Sequence, residues 1–254
     1  MIFTMKKNEW FKDENFWNNY APIMFDEQQW AQAYGIVESC CTKAQLDKGD
    51  SVIDVCSGPG RLSVEFALQG MDVTCVDLNQ TFLDMAQETA NDEGVKLNLI
   101  NHDMRTFNSR KKFDLAVNIY NSFGYCDSIE DDTKILKRVF ASLKKGGKFI
   151  LECISRETAV KYFTEGEWFE RDGKTVLTQF KPVNDWQGLS SKWILIDKKT
   201  GERIEHEFVQ RLYSACELRD RLLQIGFKTS KVYGGFDFSP YDENAKTMVI
   251  YAEK

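Results

Sequence analysis

Residues 51–70, SVIDVCSGPGRLSVEFALQG, carry an apolar strand pattern through two glycines and a proline into a helical pattern. A strand that runs straight into a helix across a tight turn begins a β-α-β unit, whose next strand lies parallel to the first. The alternation continues. DVTCVD (72–77), LNLIN (97–101), FDLAVNI (113–119) and GKFILECI (147–154) read as short apolar strands. Between them RLSVEFALQG, QTFLDMAQETANDEG and DDTKILKRVFASLKKGG have helical spacing, and Gly70, Gly94 and Gly146 stand where helices stop. Such a chain is expected to form a parallel sheet covered by helices on both faces.

The pattern changes after residue 155. Residues 168–213 alternate as strands, broken at RDGK and DKKTGE, which read as hairpin turns, so an antiparallel insert is expected. A helical stretch, SACELRDRLLQIGF, and two strands, KTSKVYGGF and AKTMVIYAE, then return to finish the first sheet. A chain of 254 residues can bury a sizeable core. Its net charge of −6 weighs against nucleic acid or an anionic membrane as the main partner. The seven cysteines include no C-x-x-C pair and read as reduced packing residues rather than a disulfide or metal framework. The start shows no signal-peptide core and eighteen apolar residues nowhere run together, so a cytoplasmic protein without a membrane span is expected.

A glycine turn lets a ligand approach the backbone, and the helix behind it offers free N–H groups to an anionic part of that ligand. Asp77 ends the second strand, 17 positions beyond Gly60, where a carboxylate can accept both hydroxyls of a ribose. Together these features point to a nucleoside cofactor. Dinucleotide sites carry a third small residue in G-x-G-x-x-G; here Ser63 holds that place, which disfavours a dinucleotide and a nicotinamide oxidoreductase.

The strand ending at Asp54 and the VCSGPGR after it resemble motif I of the class I S-adenosylmethionine (SAM)-dependent methyltransferases. The likeness continues through VDLN (76–79), NHDM (101–104), FDLAVNIYNSFGY and LKKGGKFIL, and is greatest to small-molecule members. It implies an α/β, Rossmann-like, doubly wound and mostly parallel seven-stranded sheet with an antiparallel β insert. The implied division is an N-terminal helical lid (1–35), a SAM-binding core (36–155), the insert as a substrate roof (156–213) and closing elements (214–254). The resemblance places the methionine end of the cofactor among Asp54, Cys56, Ser57, Gly58, Gly60 and Arg61. It places the ribose at Asp77 and Leu78, the adenine at Asp103 and Met104 beside His102, and the sulfonium near Asn118. The family's usual first glycine falls on Cys56, which is expected to keep ordinary dihedrals and to act in packing.

Methyl transfer from a sulfonium is an in-line displacement with a neutral leaving group, so alignment and desolvation supply much of the catalysis, and S-adenosyl-L-homocysteine is left. A base is needed only when the acceptor arrives protonated. Acceptor contacts are expected at the carboxyl ends of the strands, from Tyr120, Asn121, Ser122, Phe123 and Tyr125. The lid offers Tyr20 among nine aromatics in its first 34 residues, including Trp10, Trp17 and Phe25. The insert offers Trp168, Arg171, Trp186, Trp193, His206, Arg211 and Tyr213. Tyr20 and His206 are the candidates for a catalytic role; no metal is expected. Alternation leaves apolar residues on both faces of IEHEFVQRLY, so it does not choose the inward one. The expected activity is methylation of N or O on a small metabolite by a monomer or homodimer. RNA or protein methylation, and SAM binding without transfer, are the alternatives.

Overall fold

The computed structural model describes residues 9–254; residues 1–8, part of the expected lid and holding Phe3, lie outside the described residues. A short 3-10 turn (Trp10–Lys12) leads into α1 (Glu14–Met24), α2 (Glu27–Ala31) and α3 (Ala33–Ala44). Aspartates open the first two helices. Asp13 Oδ1 accepts the Asn15 N–H at 2.9 Å and Asp26 Oδ1 accepts the Gln29 N–H at 2.9 Å, each relieving an otherwise unpaired first-turn donor. The alternating region follows: β1 (Ser51–Val55), α4 (Arg61–Leu68), β2 (Asp72–Asp77), α5 (Gln80–Asp92), β3 (Leu97–Asn101), β4 (Phe113–Asn118), α6 (Ile129–Ser142) and β5 (Leu143–Cys153). The chain then forms α7 (Arg156–Lys161), β6 (Gly166–Arg171), β7 (Lys174–Val183), β8 (Gly188–Asp197) and β9 (Arg203–Arg211). It closes with α8 (Ala215–Ile225), β10 (Thr229–Tyr233) and β11 (Met248–Glu253).

Seven strands join in the order β10-β11-β5-β4-β1-β2-β3, and β6-β7-β8-β9 form a separate antiparallel sheet. Pairing is parallel from β3 through β5, while β11 runs antiparallel to both β5 and β10. This is the Rossmann-like α/β architecture that the resemblance implies, and its parallel part is the sheet that strand and helix alternation predicts. All five residues of β1 are buried, as expected of a central strand covered on both sides. Ile53 and Val55 join Phe113 and Phe149 beneath α6 and α8, whereas Val52 joins Val73, Leu115 and Val117 beneath α3 and α4. The period of two along one strand thus builds two cores.

The small sheet has a core of its own. Phe16, Tyr20 and Ile23 of α1, all fully buried, pack on Val176, Leu195 and Phe208. Burial of Phe16 and Ile23 contributes about 1.5–3 kcal/mol each. These contacts settle the face of β9 that alternation left open: Ile204, His206, Phe208 and Gln210 look toward α1 and the cavity described below. Arg211 turns the other way and binds the buried Asp132 carboxylate of α6, which also accepts the Tyr213 hydroxyl at 2.7 Å. The insert is therefore bolted to the main sheet by a buried ion pair. A third hairpin turn, unread in the sequence, lies between β7 and β8, where Asn184, Asp185 and Trp186 all have positive φ. Among the described residues no helix is long and apolar enough to cross a membrane.

Candidate active site

The strand order reverses between β1 and β4, and ligands of open α/β sheets bind at such a point, outside the carboxyl ends of the strands. Here those ends open into a cavity of about 690 Å³. The β1 turn, the end of β2 and the loop after β3 form one wall. The small sheet faces them with Phe180, Leu189, Ser191, Trp193, Phe208 and Gln210, and the N-terminal segment adds Trp10, Phe11, Trp17 and Phe25.

Of the residues expected at the cofactor, Asp54, Cys56, Ser57, Gly58, Arg61, Asp77, Leu78, Asp103 and Met104 all line this cavity, as does His102. Gly60 and Asn118 are not in its lining. Asp54 accepts the Ser63 hydroxyl at 2.6 Å. Burial, opposed by that bond and assisted by the charge of Asp77, pushes the Asp54 pKa up to about 6. Asp77 Oδ2 accepts the Gly58 N–H and Oδ1 the Asn79 N–H, both at 2.8 Å. Burial nonetheless raises its pKa. Each of its oxygens keeps a second lone pair for a ligand hydroxyl.

Cys56 corrects the expectation of ordinary dihedrals. Its φ is 59°, so a side chain occupies the left-handed conformation that glycine usually takes, at about 1–2 kcal/mol. The turn tolerates this because the N–H groups of Cys56 and Ser57 both donate to the Val76 carbonyl, at 2.8 and 3.2 Å, pinning it to β2. Burial drives the thiol pKa well up, consistent with a packing role. Gly60 serves a different end from ligand approach. A Cβ there would lie 2.5 Å from the Ala86 Cβ, so its missing side chain lets α5 pack against the turn.

Arg61 is buried rather than solvated. It lies 3.5 Å above the Tyr120 ring centroid, donates to the Tyr120 hydroxyl at 2.7 Å and also binds the Gln29 carbonyl. Desolvation lowers its pKa, with nearby acids acting the other way. Asp103 is held by Arg105, which donates from Nε to both carboxylate oxygens and from Nη2 to Glu9 at 2.7 Å. Burial would raise the Asp103 pKa, but these bonds outweigh it and hold the carboxyl low. Arg105 and Glu9 were not read as site residues in the sequence.

The loop after β4 turns sharply, with φ of 64° at Tyr120 and 58° at Asn121. Glu152, near the end of β5, compensates this strain by accepting both their N–H groups on Oε2, at 2.9 and 3.1 Å. Burial raises the Glu152 pKa. Asn121 and Gln210 exchange amide hydrogen bonds at 3.0 and 2.7 Å, joining this loop to β9. Tyr120, Asn121, Ser122, Tyr125, Arg171 and Trp193 line the cavity, and so does Gln210, which alternation did not single out. Glu152 had one legible signal, a lone acid in the otherwise apolar strand FILEC.

Other candidates are placed elsewhere. Tyr20 is fully buried, stacked on Phe16 with its hydroxyl on the Trp193 carbonyl at 3.0 Å, and burial pushes its pKa up to about 12. His206 meets the rings of Phe16 and Tyr20 edge-on, outside the cavity lining. Arg211 and Tyr213 are spent on Asp132, and Phe123 is buried against Tyr213. Trp168 is 69% exposed on an edge strand, and Trp186 sits in the third turn against Phe163. Arg171 reaches the cavity while tied to Asp26 at 2.9 Å and to the Ile23 carbonyl.

Two buried oxygens at the strand ends, Ser57 Oγ and Asn118 Oδ1, have no hydrogen-bond partner among the described residues. Asn118 Nδ2 donates to the Val55 carbonyl at 2.6 Å, which fixes the orphaned Oδ1. Buried polar atoms of this kind ask for a ligand that brings donors, and an amine with ribose hydroxyls meets that requirement.

A methyltransferase domain model matches residues 52–147. The Bacillus subtilis (strain 168) protein YqeM is 21% identical over 216 residues, 84% of this chain and 87% of that protein. The crystal structure of an S-adenosylmethionine-dependent methyltransferase from Clostridium acetobutylicum superposes with a TM-score of 0.75 at 19% identity, covering 94% of this chain and 96% of that one. SAM-bound CalS10 from Micromonospora echinaspora, an amino pentose methyltransferase of calicheamicin biosynthesis, gives 0.69 at 17% identity, covering 95% and 98%. The glycine turn, the fold and the matched domain agree: residues 52–147 carry a methyltransferase domain, and the chain is an S-adenosylmethionine-dependent methyltransferase.

Proposed function

We propose that the enzyme methylates a nitrogen or oxygen of a small molecule bound between the β1 turn and the small sheet. The observation that carries this reading is the cavity itself. Its volume of about 690 Å³ lies within the range of small-molecule sites, roughly 300–1,000 Å³. Aromatic side chains line it from the N-terminal segment, the loop after β4 and the small sheet, leaving a chamber suited to a compact ligand. The likeness to an amino pentose methyltransferase supports the same size class.

The cofactor supplies a methyl group on a sulfonium that leaves as a neutral thioether. Asp54, Ser57, Gly58 and Arg61 would hold its amino acid end, Asp77 and Leu78 its ribose, and Asp103 with Met104 its adenine. Cys56, Gly60 and Asn118 would support these contacts, Cys56 by packing and Gly60 by admitting α5. Tyr120, Asn121, Ser122, Tyr125 and Arg171 would flank the acceptor. Glu152 would keep that flank rigid through the two N–H bonds it accepts. Excluding water and fixing the acceptor in line with the methyl group is the main work left to this chain. Tyr20 and His206 lie outside the cavity lining, and we assign neither a catalytic role. The seven cysteines are all free thiols, which fits a reducing cytoplasm.

The test is incubation of the purified enzyme with methyl-labelled SAM and a cell extract fractionated into metabolites, RNA and protein, with Asp77→Ala as control. Label entering a metabolite, and lost in the variant, is the expected result. Label entering RNA or protein instead would overturn the acceptor class.

A further inference from the structure

The cavity holds a buried hydrogen-bond donor that neither the fold nor the cofactor reading uses. Trp10 lines the cavity, and its indole Nε1 is buried without a hydrogen-bond partner among the described residues. The ring is held firmly. It stacks on Phe208 of β9 with centroids 4.4 Å apart and planes 21° apart, and Phe16 and Tyr125 meet it edge-on at 4.8 and 5.1 Å. An indole N–H donates only, and interactions of such a group with neighbouring rings are weak substitutes for an acceptor. A donor fixed and buried in this way is unfavourable unless a ligand completes it.

The surroundings choose which ligand. The rings that hold Trp10 belong to the N-terminal segment, to the loop after β4 and to the small sheet. None of its ring partners comes from the β1 turn or the end of β2, where the amino acid and ribose ends of the cofactor are proposed to lie. Tyr125 repeats the theme on the same side. Its hydroxyl accepts from Asn121 Nδ2 at 3.5 Å, and burial raises its pKa, keeping the phenol protonated as a donor.

We propose that Trp10 is a substrate-binding residue, donating its indole N–H to an oxygen of the methyl acceptor while Phe208 fixes the plane of the ring. This rests on the reading of the cavity as a small-molecule acceptor site and deepens it. The acceptor is an oxygen-bearing molecule, presenting a carbonyl, ether, hydroxyl or carboxylate lone pair to Trp10. An alkyl polyamine offers no such oxygen, and its ammonium form cannot accept from an N–H.

The experiment compares the wild-type enzyme with Trp10→Phe, which keeps an aromatic ring on Phe208 and removes the donor. S-adenosylhomocysteine affinity is measured by calorimetry, and label transfer from methyl-labelled SAM is followed with the metabolite fraction at limiting concentration. The expected result is S-adenosylhomocysteine affinity within twofold of wild type and label transfer reduced at least tenfold, with the labelled product containing oxygen. Unchanged transfer by Trp10→Phe would overturn the assignment, as would a parallel loss of S-adenosylhomocysteine affinity, which would make Trp10 a cofactor contact or a folding residue. A labelled product without oxygen would also overturn it. If the wild-type enzyme labels no metabolite, the small-molecule reading fails and this assignment falls with it.

Discussion

Adding one methyl group at Gly60 and, separately, at Gly58 distinguishes two reasons for a glycine turn. Both residues have positive φ, 78° and 55°, so alanine at either position carries about 1–2 kcal/mol of left-handed strain. Their surroundings differ. At Gly60 a Cβ would sit 2.5 Å from the Ala86 Cβ and 3.1 Å from its Cα, in the body of α5, so the helix must shift. At Gly58 the nearest atom is Phe25 Cζ at 3.5 Å, an ordinary contact with a side chain of the cavity lining. Overpacking costs about 1–3 kcal/mol, which Gly60→Ala incurs and Gly58→Ala does not. Near 250 residues each kcal/mol moves Tm by about 2–4 °C, so Gly60→Ala is expected to melt about 2–12 °C below Gly58→Ala. Binding should rank the other way. Gly58 lines the cavity and Gly60 does not, so a methyl at Gly58 that crowds a fitted ligand by about 1.4 kcal/mol lowers S-adenosylhomocysteine affinity about tenfold. Urea and thermal melts of both variants, with calorimetric binding, give the two rankings. Equal melting of the two would refute the packing role of Gly60, and stronger binding loss at Gly60 would refute the division of labour.

The remaining tests address charge. Asp77→Ala removes hydrogen bonds to a half-buried carboxylate worth about 1.5–3 kcal/mol each, so SAM affinity is expected to fall at least tenfold by calorimetry; unchanged affinity would dismiss the ribose contact. Asp54 has a folded pKa near 6, above the ordinary 3.8, so its ionisation destabilises the fold; the penalty is absent below pH 4 and complete above pH 6. Urea melts of Asp54→Asn should therefore gain on the wild type as pH rises through that window, by up to roughly 3 kcal/mol, and a pH-independent difference would contradict the raised pKa. Asp132→Ala leaves Arg211, whose side chain is 14% exposed, without its carboxylate, and a loss of about 3 kcal/mol is expected in chemical denaturation. A loss below 1 kcal/mol would mean that the insert is not held by this pair.

Much of the main sheet was legible because its signals are local. β2 and β3 begin and end on the residues that the apolar runs mark, 72–77 and 97–101, since apolar runs and glycine stops need no distant partner. The proposed cofactor wall was legible for the same reason, as most of it stands at a strand end: Asp54 and the Cys56–Gly58 turn at the end of β1, and Asp77 with Leu78 at the end of β2.

Tertiary structure alone decided the side of the cavity proposed for the acceptor. A strand's period of two defines two faces but not which one is covered, and α1, about 190 residues away in the chain, covers the Phe208 face of β9. That packing takes Tyr20 and His206 out of the cavity lining and leaves Gln210 in it. Polar side chains depend even more on remote partners. Arg211 and Tyr213 looked available until α6 supplied Asp132, and Glu152 gained its role only when the loop after β4 folded onto it. Even Cys56 follows this rule: the two hydrogen bonds that the Cys56 and Ser57 N–H groups donate to the Val76 carbonyl of β2 hold the left-handed backbone that a side chain disfavours. Sequence by itself thus determined the alternating elements and the strand-end turns proposed to hold the cofactor, because hydrophobic periodicity and turn chemistry act over a few residues. The choice of which polar and aromatic groups line the cavity belonged to the folded chain, because burial and pairing are set by residues that meet only in three dimensions.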